Sequence, residues 1–225
     1  MVLIPRCGIR ETDAFLIKNY KNTSVISGKK ANKKWLCDTF GLDEKKPLFT
    51  FIGRLVGEKT ADLFPEIFSQ VLRKNDLSIL LLGYGETKTE QALKLLSSAF
   101  ENYNHFIGYD EKLSHILYAG ADFLIMPSRV EPCGLNQLYA LRYGTISIVN
   151  NIGGLKDTIK DLSNDGFGIV IPSATTEATV AGIIKAKAFY DNKAAFKKTQ
   201  KHIMSIDHSW LQSAKAYQEL YIKIS

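Results

Sequence analysis

The sequence predicts an α/β protein built on a doubly wound parallel sheet. Short apolar runs alternate with segments of helical spacing from residue 48 onward. Apolar runs without polar alternation are typical of strands that are buried on both faces of a parallel sheet. The chain has 225 residues, of which 45% are hydrophobic, so it can bury such a sheet. We therefore expect one Rossmann-like domain over residues 41–205.

Each strand is predicted from an apolar run that ends at glycine, proline or a polar residue. The predicted strands are residues 48–53, 77–82, 105–108, 123–126, 145–149 and 167–171. Helical spacing follows the first four strands, at Leu63, Ile67 and Val71, at residues 87–100, around Leu113 and Leu117, and at residues 135–142. Gly144 stands where the last of these helices would end.

Two flanking segments differ from this series. Residues 1–40 are rich in lysine and asparagine and show only weak helical character, so we assign them to a lead segment that resembles an interdomain connection. Residues 206–225 predict a C-terminal helix that Asp207 or Ser209 would cap. Its apolar stripe consists of Trp210, Ala214, Tyr217 and Tyr221. Aromatic side chains on one stripe need a partner surface, or they stay exposed.

Composition excludes several classes of protein. The formal net charge is +6, and much of the excess lies in Lys185, Lys187, Lys193, Lys197, Lys198 and Lys201. Lysines spread along a helix are usually a solvated face, and no aromatic residues interleave with them, so we expect no nucleic-acid partner. The apolar runs are far shorter than the roughly 20 residues that span a bilayer, so we expect no membrane partner.

Three cysteines bear on the compartment and on metal binding. Cys7, Cys37 and Cys133 are odd in number and far apart, with no Cys-x-x-Cys pair, so we expect neither a disulfide framework nor a zinc site. The first five residues are too short for the apolar core of a signal peptide. We therefore expect a cytoplasmic protein without a bound metal.

The chemistry is expected at the carboxyl ends of strands one and four. In a sheet of order 3-2-1-4-5-6, ligands bind where the winding reverses between those strands. Arg54 and Lys59 follow the first strand, and Glu131 and Gly134 follow the fourth. A carboxylate beside a helix N-terminus suits a ligand with phosphate at one end and hydroxyls at the other, such as a sugar nucleotide.

Two further residues lie on the same edge of the predicted sheet. Tyr109 follows the third strand and would stack on a base, although a packing role is equally common for such a residue. Cys133 follows the fourth strand, where a cysteine is more often a small hydrophobe than a nucleophile. Its spacing to Arg142 is also too long for a Cys-x5-Arg phosphatase loop.

Every one of these residues also has a plainer interpretation. Arg54 and Lys59 could be solvated, and Glu131 could cap the following helix. Gly83-Tyr84-Gly85 resembles the start of G-x-G-x-x-G, but Lys88 stands at the third glycine, so a dinucleotide dehydrogenase is disfavoured. The chain also contains no Asp-x-Asp, so a metal-chelated diphosphate is not indicated.

Five blocks of sequence together resemble a known family. They are Arg54-Leu55-Val56-Gly57-Glu58-Lys59, Ile107-Gly108-Tyr109 with Ser114-His115, Gly120-Ala121-Asp122, residues 127–144 (P-S-R-x-E-P-C-G-L-x-Q-L-Y-A-L-R-Y-G) and residues 153–158 (G-G-L-x-D-T). These blocks resemble the C-terminal half of the bacterial glycogen/starch synthases, glycosyltransferase family 5, which have the GT-B fold. The resemblance covers roughly residues 38–225 and weakens across residues 11–20.

The resemblance implies retaining transfer of glucose from ADP-glucose to the non-reducing end of an α-1,4-glucan, without metal or cofactor. Arg54 and Lys59 would hold the diphosphate, and Tyr109 would stack on the adenine. Glu131 would accept hydrogen bonds from glucose hydroxyls. Backbone N–H groups of Gly134, Leu135 and Asn136 would bind the distal phosphate, and Cys133 would line the pocket without forming a covalent bond.

Two departures from the family pattern qualify this expectation. Thr60 follows Lys59 where the family usually has glycine, which would alter that loop. The N-terminal Rossmann-like domain, with its donor-contacting loop and most of the acceptor groove, has no counterpart in the sequence. We therefore expect ADP or ADP-glucose binding without glucose transfer by the chain alone. The glucan would bind through that other domain. The resemblance also implies that the C-terminal helix, residues 206–225, crosses to that domain, so the Trp210 stripe would be left partly exposed and predicts weak self-association.

Two rival functions stay open from the sequence. One is half of a related GT-B transferase that uses UDP-glucose, and the other is a non-catalytic fragment that binds ADP.

Overall fold

The computed structural model describes residues 10–224. It contains one six-stranded sheet in which every pairing is parallel, with the order β3-β2-β1-β4-β5-β6. The strands are β1 Leu48–Leu55, β2 Ser78–Gly85, β3 Tyr103–Ile107, β4 Phe123–Met126, β5 Ile146–Asn150 and β6 Ile169–Ile171. The predicted doubly wound sheet and its strand order are therefore confirmed.

Nine α-helices are found among these described residues. They are α1 Val25–Phe40, α2 Phe64–Lys74, α3 Thr87–Ala99, α4 Glu111–Gly120, α5 Asn136–Tyr143, α6 Gly153–Thr158, α7 Thr176–Asp191, α8 Lys193–Ile203 and α9 Trp210–Ile224. Short 3₁₀ turns lie at Asn22–Ser24, Gly57–Lys59, Ala61–Leu63 and Leu162–Asn164. Within residues 10–224, none of the helices has the length and apolar character needed to cross a membrane.

Both faces of the sheet are buried, because successive side chains of β1 pack into two different apolar clusters. Leu48 belongs to the smaller apolar cluster, which includes residues of α1 and α4. Phe49 and Phe51 belong to the larger cluster, which includes residues of α2, α7 and α8. Phe49 stacks on Phe123 of β4 with ring centroids 4.8 Å apart. Because successive side chains point to opposite faces, a strand covered on both sides has a continuous apolar sequence.

The first two strands extend further than the sequence predicts. Arg54 pairs in register with Tyr84, and Gly83 and Gly85 continue β2, so Arg54 lies within β1 rather than after it. A Cβ at Gly83 would lie 2.4 Å from the carbonyl oxygen of Gly53. The missing side chains at these two glycines therefore let β2 remain paired with β1 up to the carboxyl edge.

Helix α1 starts seven residues earlier than its weak helical pattern, residues 32–40, indicates. The reason is that its buried face is partly polar: Lys29, Asn32 and Lys33 are all buried. Lys33 forms an ion pair with Asp122 at 2.7 Å. Such a helix has no clear apolar stripe, so periodicity alone does not reveal it.

The ammonium group of Lys29 joins the ends of two helices. It donates to the carbonyl oxygens of Tyr118 and Ala119 at the end of α4, to that of Tyr143 at the end of α5, and to the Thr145 hydroxyl. A cation is stabilised at helix C-termini because the free carbonyls carry partial negative charge. Complete burial nevertheless opposes the charged form and lowers the pKa of Lys29 to about 7.

Residues before α1 are packed against the same domain. Asp13 is hydrogen bonded to His115 and to the Tyr143 hydroxyl, and the Tyr20 hydroxyl donates to the Tyr143 carbonyl at 2.7 Å. A Cβ at Gly28 would lie 2.3 Å from the Tyr20 side chain, so this approach requires glycine. The described part of the lead segment is thus in contact with α4 and α5. A domain boundary at residue 40 stays a prediction.

Helix α9 projects its side chains into solvent. None of its described residues is buried, and Trp210, Tyr217 and Tyr221 are each more than half exposed. The Asp207 carboxylate accepts a hydrogen bond from the backbone N–H of Ser209, just before the helix. The predicted helix and its exposed stripe are therefore present, whereas its contact with another domain stays a prediction.

Lys29 predicts a specific dependence of stability on pH. In the unfolded chain the Lys29 ammonium keeps its proton up to about pH 10, whereas in the folded chain it loses that proton near pH 7. The unfolded state therefore binds more protons between these values, and the free energy of unfolding should rise with pH there. We expect an increase of up to about 1.4 kcal/mol per pH unit. Chemical denaturation at pH 7.0 to 8.5 measures it.

The matched variants are Lys29→Met and Lys30→Met. Lys30 is the exposed neighbour, so its variant should keep the rise in stability with pH, whereas the Lys29 variant should lose it. Equal slopes in both variants would contradict the buried-lysine explanation.

Candidate functional site

Two adjoining cavities lie at the carboxyl ends of β1 and β4, where the winding of the sheet reverses. The larger has a volume of about 350 Å³ and the smaller about 180 Å³. Ile52, Gly53 and Asn136 line both. This is the position where open α/β sheets bind ligands, so the two cavities form the candidate site. We call them the aromatic cavity and the charged cavity.

The charged cavity contains a close ion pair. The Lys59 ammonium lies 2.5 Å from Oε2 of Glu131, and the Ser128 hydroxyl donates to the same oxygen at 3.2 Å. Both charged side chains are largely shielded from solvent, with 21% and 11% exposure. A lysine carries three donors and a carboxylate several acceptor positions. Two lysine protons and Oε1 of Glu131 therefore remain to contact a ligand.

Thr60 holds the loop that presents Lys59. Its backbone is left-handed, with φ of 63°, and its side chain is fully buried. The Thr60 hydroxyl donates to the carbonyl oxygen of Pro127 at 2.6 Å, which ties the loop after β1 to the end of β4. A left-handed position favours glycine and costs a β-branched residue free energy. The predicted departure from the family glycine therefore lies at a left-handed position, which would benefit from glycine.

Arg129 fastens the same two loops together from outside. Its guanidinium makes a bidentate pair with Asp62, at 2.6 and 2.9 Å, and also donates to the Gly57 carbonyl at 2.8 Å. The Arg129 backbone N–H donates to the Glu58 carbonyl. This guanidinium contact lowers the pKa of the Asp62 carboxyl. Loop contacts on both sides therefore fix the spacing between Lys59 and Glu131.

The N-terminus of α5 faces the shared part of the two cavities. The first backbone N–H bonded within this helix is that of Tyr139, to the Leu135 carbonyl, so the N–H groups of Gly134, Leu135 and Asn136 precede the ladder. Gly134 has φ of 73°, and a Cβ there would lie 2.4 Å from the Gln137 side chain. The Asn136 amide donates to the Ile52 carbonyl at 2.6 Å and so bridges α5 to β1.

Two glycines of α6 support the Glu131 loop from behind. A Cβ at Gly153 would lie 2.1 Å from the Glu131 carbonyl oxygen, and one at Gly154 would lie 2.1 Å from that of Cys133. The Gly154 backbone N–H also donates to the carbonyl oxygen of Glu131 at 3.1 Å. The G-G-L-x-D-T block therefore acts on the site through backbone contact, because only glycine permits this approach.

The aromatic cavity has an exposed tyrosine at its mouth and buried rings at its back. Tyr109 is 77% exposed and follows Gly108, whose φ is 149°. The back wall consists of Tyr118, Tyr139, Tyr143 and His115. Arg54 also lines this cavity, where its guanidinium lies 3.3 Å from Glu58 on the surface. A planar aromatic ligand would find π-faces here together with the exposed guanidinium of Arg54.

Hydrogen bonds to Asp13 hold two residues of that wall. Nδ1 of His115 is 2.6 Å from a carboxylate oxygen of Asp13, which also accepts from the Tyr143 hydroxyl. Burial raises the pKa of Asp13, but the hydrogen bonds from His115 and Tyr143 outweigh it, so the carboxyl pKa is lowered overall. The lead segment thereby holds two rings of the aromatic cavity in position.

The structure brings most of the predicted site residues together, but in two groups. Lys59, Glu131 and Leu135 line the charged cavity. Arg54 and Tyr109 line the aromatic cavity, and Asn136 lines both. Gly134 is buried directly beneath the start of α5. Their proposed roles toward a ligand stay predictions.

Cys133 is placed apart from these residues. It lines a third cavity on the other side of its loop, together with Asp157 of α6 and Gln212 of α9. It is also a free cysteine, as is Cys37, whereas Cys7 lies outside the described residues. Its carbonyl oxygen accepts from the Gln137 amide at 3.0 Å. The contribution of Cys133 in this structure is thus to the shape of the loop.

Sequence reasoning missed Thr60, Asp62, Ser128, Arg129 and Gln137 as supports of the site. All act through contacts with chain segments that meet only after folding. Ser128 and Arg129 stand within the P-S-R block, and the paired glycines follow a predicted strand, so those two signals were present in the sequence. Residues 10–224 contain no group of three or more His, Cys, Asp or Glu side chains placed to hold a metal ion.

Comparisons with known proteins agree with this architecture. A profile of the family described as glycosyl transferases group 1 matches residues 36–202. A glycogen synthase from Flavobacterium johnsoniae is 45% identical over 212 residues, which cover 93% of this chain and 45% of that protein. A glycogen synthase from Nitrosomonas eutropha is 39% identical over 219 residues, covering 93% of this chain and 43% of that protein.

Solved structures give the same result. The catalytic domain of Starch Synthase IV from Arabidopsis thaliana, bound to ADP and acarbose, has a TM-score of 0.86 and 31% identity. The match covers 95% of this chain and 46% of that one. The C-terminal domain of a group 1 family glycosyl transferase from Francisella tularensis shares the fold, with a TM-score of 0.62 and 17% identity. It covers 80% of this chain and 93% of that one.

Fold and matches together define a glycosyltransferase domain with the C-terminal architecture of the GT-B fold. The chain belongs to the group 1 glycosyl transferases, and it is similar to glycogen and starch synthases. The resemblance predicted from the sequence blocks is therefore confirmed. The chain spans less than half the length of the curated relatives that it matches.

Thr60 yields a prediction about the loop that presents Lys59. Thr60→Ala would keep the left-handed strain and leave the Pro127 carbonyl without its hydroxyl donor, so we expect a loss of about 1–3 kcal/mol in the free energy of unfolding. Thr60→Gly loses the same hydrogen bond but relieves a strain of about 1 kcal/mol. Urea denaturation should therefore rank Thr60→Gly above Thr60→Ala. Equal stabilities would show that Thr60 is not strained.

Proposed function

We propose that this chain is the donor-binding half of a glucan synthase. The whole enzyme would transfer glucose from ADP-glucose to the non-reducing end of an α-1,4-glucan with retained configuration. The observation that carries the proposal is the pair of adjoining cavities: one holds the Lys59–Glu131 ion pair, and the other holds aromatic rings. Similarity to glycogen synthases and to a starch synthase bound to ADP supports it.

The diphosphate would lie where the two cavities meet. Lys59 would offer its two remaining ammonium protons from one side. The N–H groups of Gly134, Leu135 and Asn136, which precede the hydrogen-bond ladder of α5, would donate from the start of that helix. Helix N-termini favour phosphate through their free donors and partial positive charge. Arg54, exposed and tied only to surface Glu58, would turn inward. These donors stabilise the negative charge that develops on the leaving ADP.

The glucose would lie in the charged cavity against Glu131. Oε2 of Glu131 is occupied by Lys59 and Ser128, which leaves Oε1 to accept from sugar hydroxyls. Lys59 then contacts the carboxylate and the phosphate at once, so the ion pair aligns the sugar with its leaving group. Positioning of this kind lowers the barrier by holding the reacting groups in place beforehand.

The adenine would enter the aromatic cavity and stack on Tyr109. The 77% exposure of this side chain leaves its ring face open to a ligand. Cys133 would act on the site only through the loop that it shares with Glu131. No metal or other cofactor enters this proposal, because the charge on the diphosphate is balanced by side chains and helix N–H groups.

The acceptor glucan would bind through the part of the longer relatives that this chain does not span. We propose that the chain alone binds ADP and ADP-glucose without elongating a glucan. The reaction would take place in the cytoplasm, and neither nucleic acid nor membrane is a proposed partner.

Calorimetric titration with ADP and with UDP tests the donor site. We expect saturable ADP binding and clearly weaker UDP binding. Tyr109→Ala should weaken ADP binding roughly tenfold, since stacking on an aromatic ring is worth about 1–3 kcal/mol. Lys59→Gln should weaken it by a similar factor through loss of a charged contact with phosphate. Lys74→Gln, at the far end of α2, is the control of equal charge change.

Three results would contradict this proposal. UDP could bind as tightly as ADP, Lys59→Gln could bind ADP like Lys74→Gln, or neither nucleotide could bind. Elongation of a radiolabelled glucan by the purified chain alone would contradict the separate proposal that the chain does not transfer glucose.

The exposed stripe on α9 leads us to propose weak self-association as well. Trp210, Tyr217 and Tyr221 present apolar area that association would remove from water. Sedimentation velocity should show a concentration-dependent increase in mean mass. The triple variant Trp210→Ser/Tyr217→Ser/Tyr221→Ser should abolish this increase. Leu95→Ser, which removes an exposed apolar side chain from α3, should leave it unchanged. A strictly monomeric wild-type chain at high concentration would contradict the proposal.

A further inference from the structure

A further cavity, which we call the lysine cavity, lies at the opposite end of the sheet from the candidate donor site. Its volume is about 410 Å³. It is bordered by α1, by α8 and by the loop before β1, next to Asp122 at the amino-terminal start of β4. Six lysines line it: Lys29, Lys30, Lys33, Lys45, Lys193 and Lys197. Since strands rise about 3.3 Å per residue, roughly 15–25 Å separate it from the donor site.

The two lysines on its floor are already neutralised within the protein. Lys33 pairs with Asp122 at 2.7 Å and donates to the Lys46 carbonyl at 2.6 Å. Lys29 directs its donors to helix-end carbonyls and to the hydroxyl of Thr145. These two side chains build the cavity wall and contribute little charge to a ligand. The ligand-directed charge must come from the rim.

The rim carries four exposed lysines and one carboxylate. Lys30, Lys45, Lys193 and Lys197 are exposed, and none of them forms an ion pair with any residue in the described range 10–224. Glu44 is the one acidic side chain among the exposed lining residues that the structure describes. Nearby lysines of α7 differ, because Lys185 pairs with Asp161 and Lys187 with Asp191. Four lysines without an ion-pair partner among the described residues therefore surround this one cavity.

The start of α8 adds a further positive contribution. Its first turn contains no acidic residue, and Lys193 occupies the first helical position. A lysine there is opposed by the partial positive charge of the helix N-terminus. Its ammonium lies 3.1 Å from the centroid of the Tyr190 ring, and desolvation lowers the pKa of Lys193. A multivalent anion bound here would offset both the repulsion between Lys193 and the helix N-terminus and the desolvation of the Lys193 ammonium.

The cavity also offers apolar contact. Phe196 is buried and Tyr190 half-buried at its base, and Ile26 of α1 stands at its edge. Such a wall accommodates the non-polar face of a sugar ring, while the rim lysines reach phosphate oxygens. The size and charge distribution together match a small molecule rather than an extended polymer.

We propose that the lysine cavity is a second ligand site, which binds a small anion carrying two or more phosphate charges, either inorganic pyrophosphate or a phosphorylated sugar. Lys193 and Lys197 from α8 and Lys30 from α1 hold the phosphates, and Tyr190 and Phe196 face the rest of the ligand. The proposal stands independently of the function assigned to the donor site, because the two sites share no lining residue.

The test is calorimetric titration of the chain with inorganic pyrophosphate and, separately, with a hexose bisphosphate, at constant ionic strength. The double variant Lys193→Gln/Lys197→Gln removes two rim charges. Its matched control is Lys198→Gln/Lys201→Gln, which changes the same helix by the same charge at exposed positions outside the cavity. We expect saturable binding that falls at least roughly tenfold in the first variant and less than about twofold in the control, as tenfold corresponds to about 1.4 kcal/mol.

Pyrophosphate can also enter the donor site, so the titration is repeated in a Lys59→Gln background. Retained binding there supports the lysine cavity, and complete loss places the anion in the donor site and overturns the proposal. Equal weakening of binding in both double variants would show non-specific charge attraction and would also overturn the proposal. Absence of saturable binding by both probes would overturn it as well. Tighter binding of the hexose bisphosphate would identify a phosphorylated sugar as the natural class, and tighter pyrophosphate binding would identify inorganic pyrophosphate.

Discussion

Parallel pairing of β1 with β4 is the constraint on which the rest of the structure depends. Chain segments leave these two neighbouring strands toward opposite faces of the sheet, so a crevice opens between the loops that follow them. Only two residue pairs form the β1–β4 ladder, so the loops that follow these strands must supply further contact between the two strand ends. Thr60 bonded to Pro127 and Arg129 bonded to Asp62 provide it.

Contacts between these loops fix the shape of the charged cavity. Lys59 and Glu131 come from loops 72 residues apart in sequence, yet each is fixed by backbone contacts behind it. Gly153 and Gly154 bring α6 against the carbonyls of the Glu131 loop, where any side chain would collide. A preorganised charge pair costs little reorganisation when a phosphate arrives. The same feature requires glycine at positions that line neither cavity of the candidate site.

The two ends of the sheet have opposite electrostatic arrangements. At the carboxyl end, cations are paired with carboxylates or face a helix N-terminus across a narrow cavity. At the amino end, buried Lys29 and Lys33 are satisfied internally, and the exposed lysines around them are not paired. Positive charge is thus distributed over both ends, and the formal net charge of +6 is not one uniform patch. This distribution makes a second anion site physically reasonable.

The amino-acid sequence by itself determined the class of fold, the order of the strands and the blocks that line the crevice. Continuous apolar runs identify buried strands, and β4 falls at the predicted residues 123–126. Periodicity failed at α1, because Lys29, Asn32 and Lys33 occupy its buried face. Such polar burial is favourable only when partners from distant segments are present, and no local pattern records them.

Only the tertiary structure decided how the site residues divide. Glu131 and Cys133 are two positions apart in one motif, but they line cavities on opposite sides of their loop. Thr60 could be recognised in the sequence as a departure, but its left-handed backbone and its hydrogen bond to Pro127 could not. From the sequence, the lysines of α7 and α8 are predicted to form one solvated face. In the folded protein some of them form ion pairs and others line a cavity. Side-chain partners depend on chain segments that meet only in the folded protein, so composition and spacing leave them undetermined.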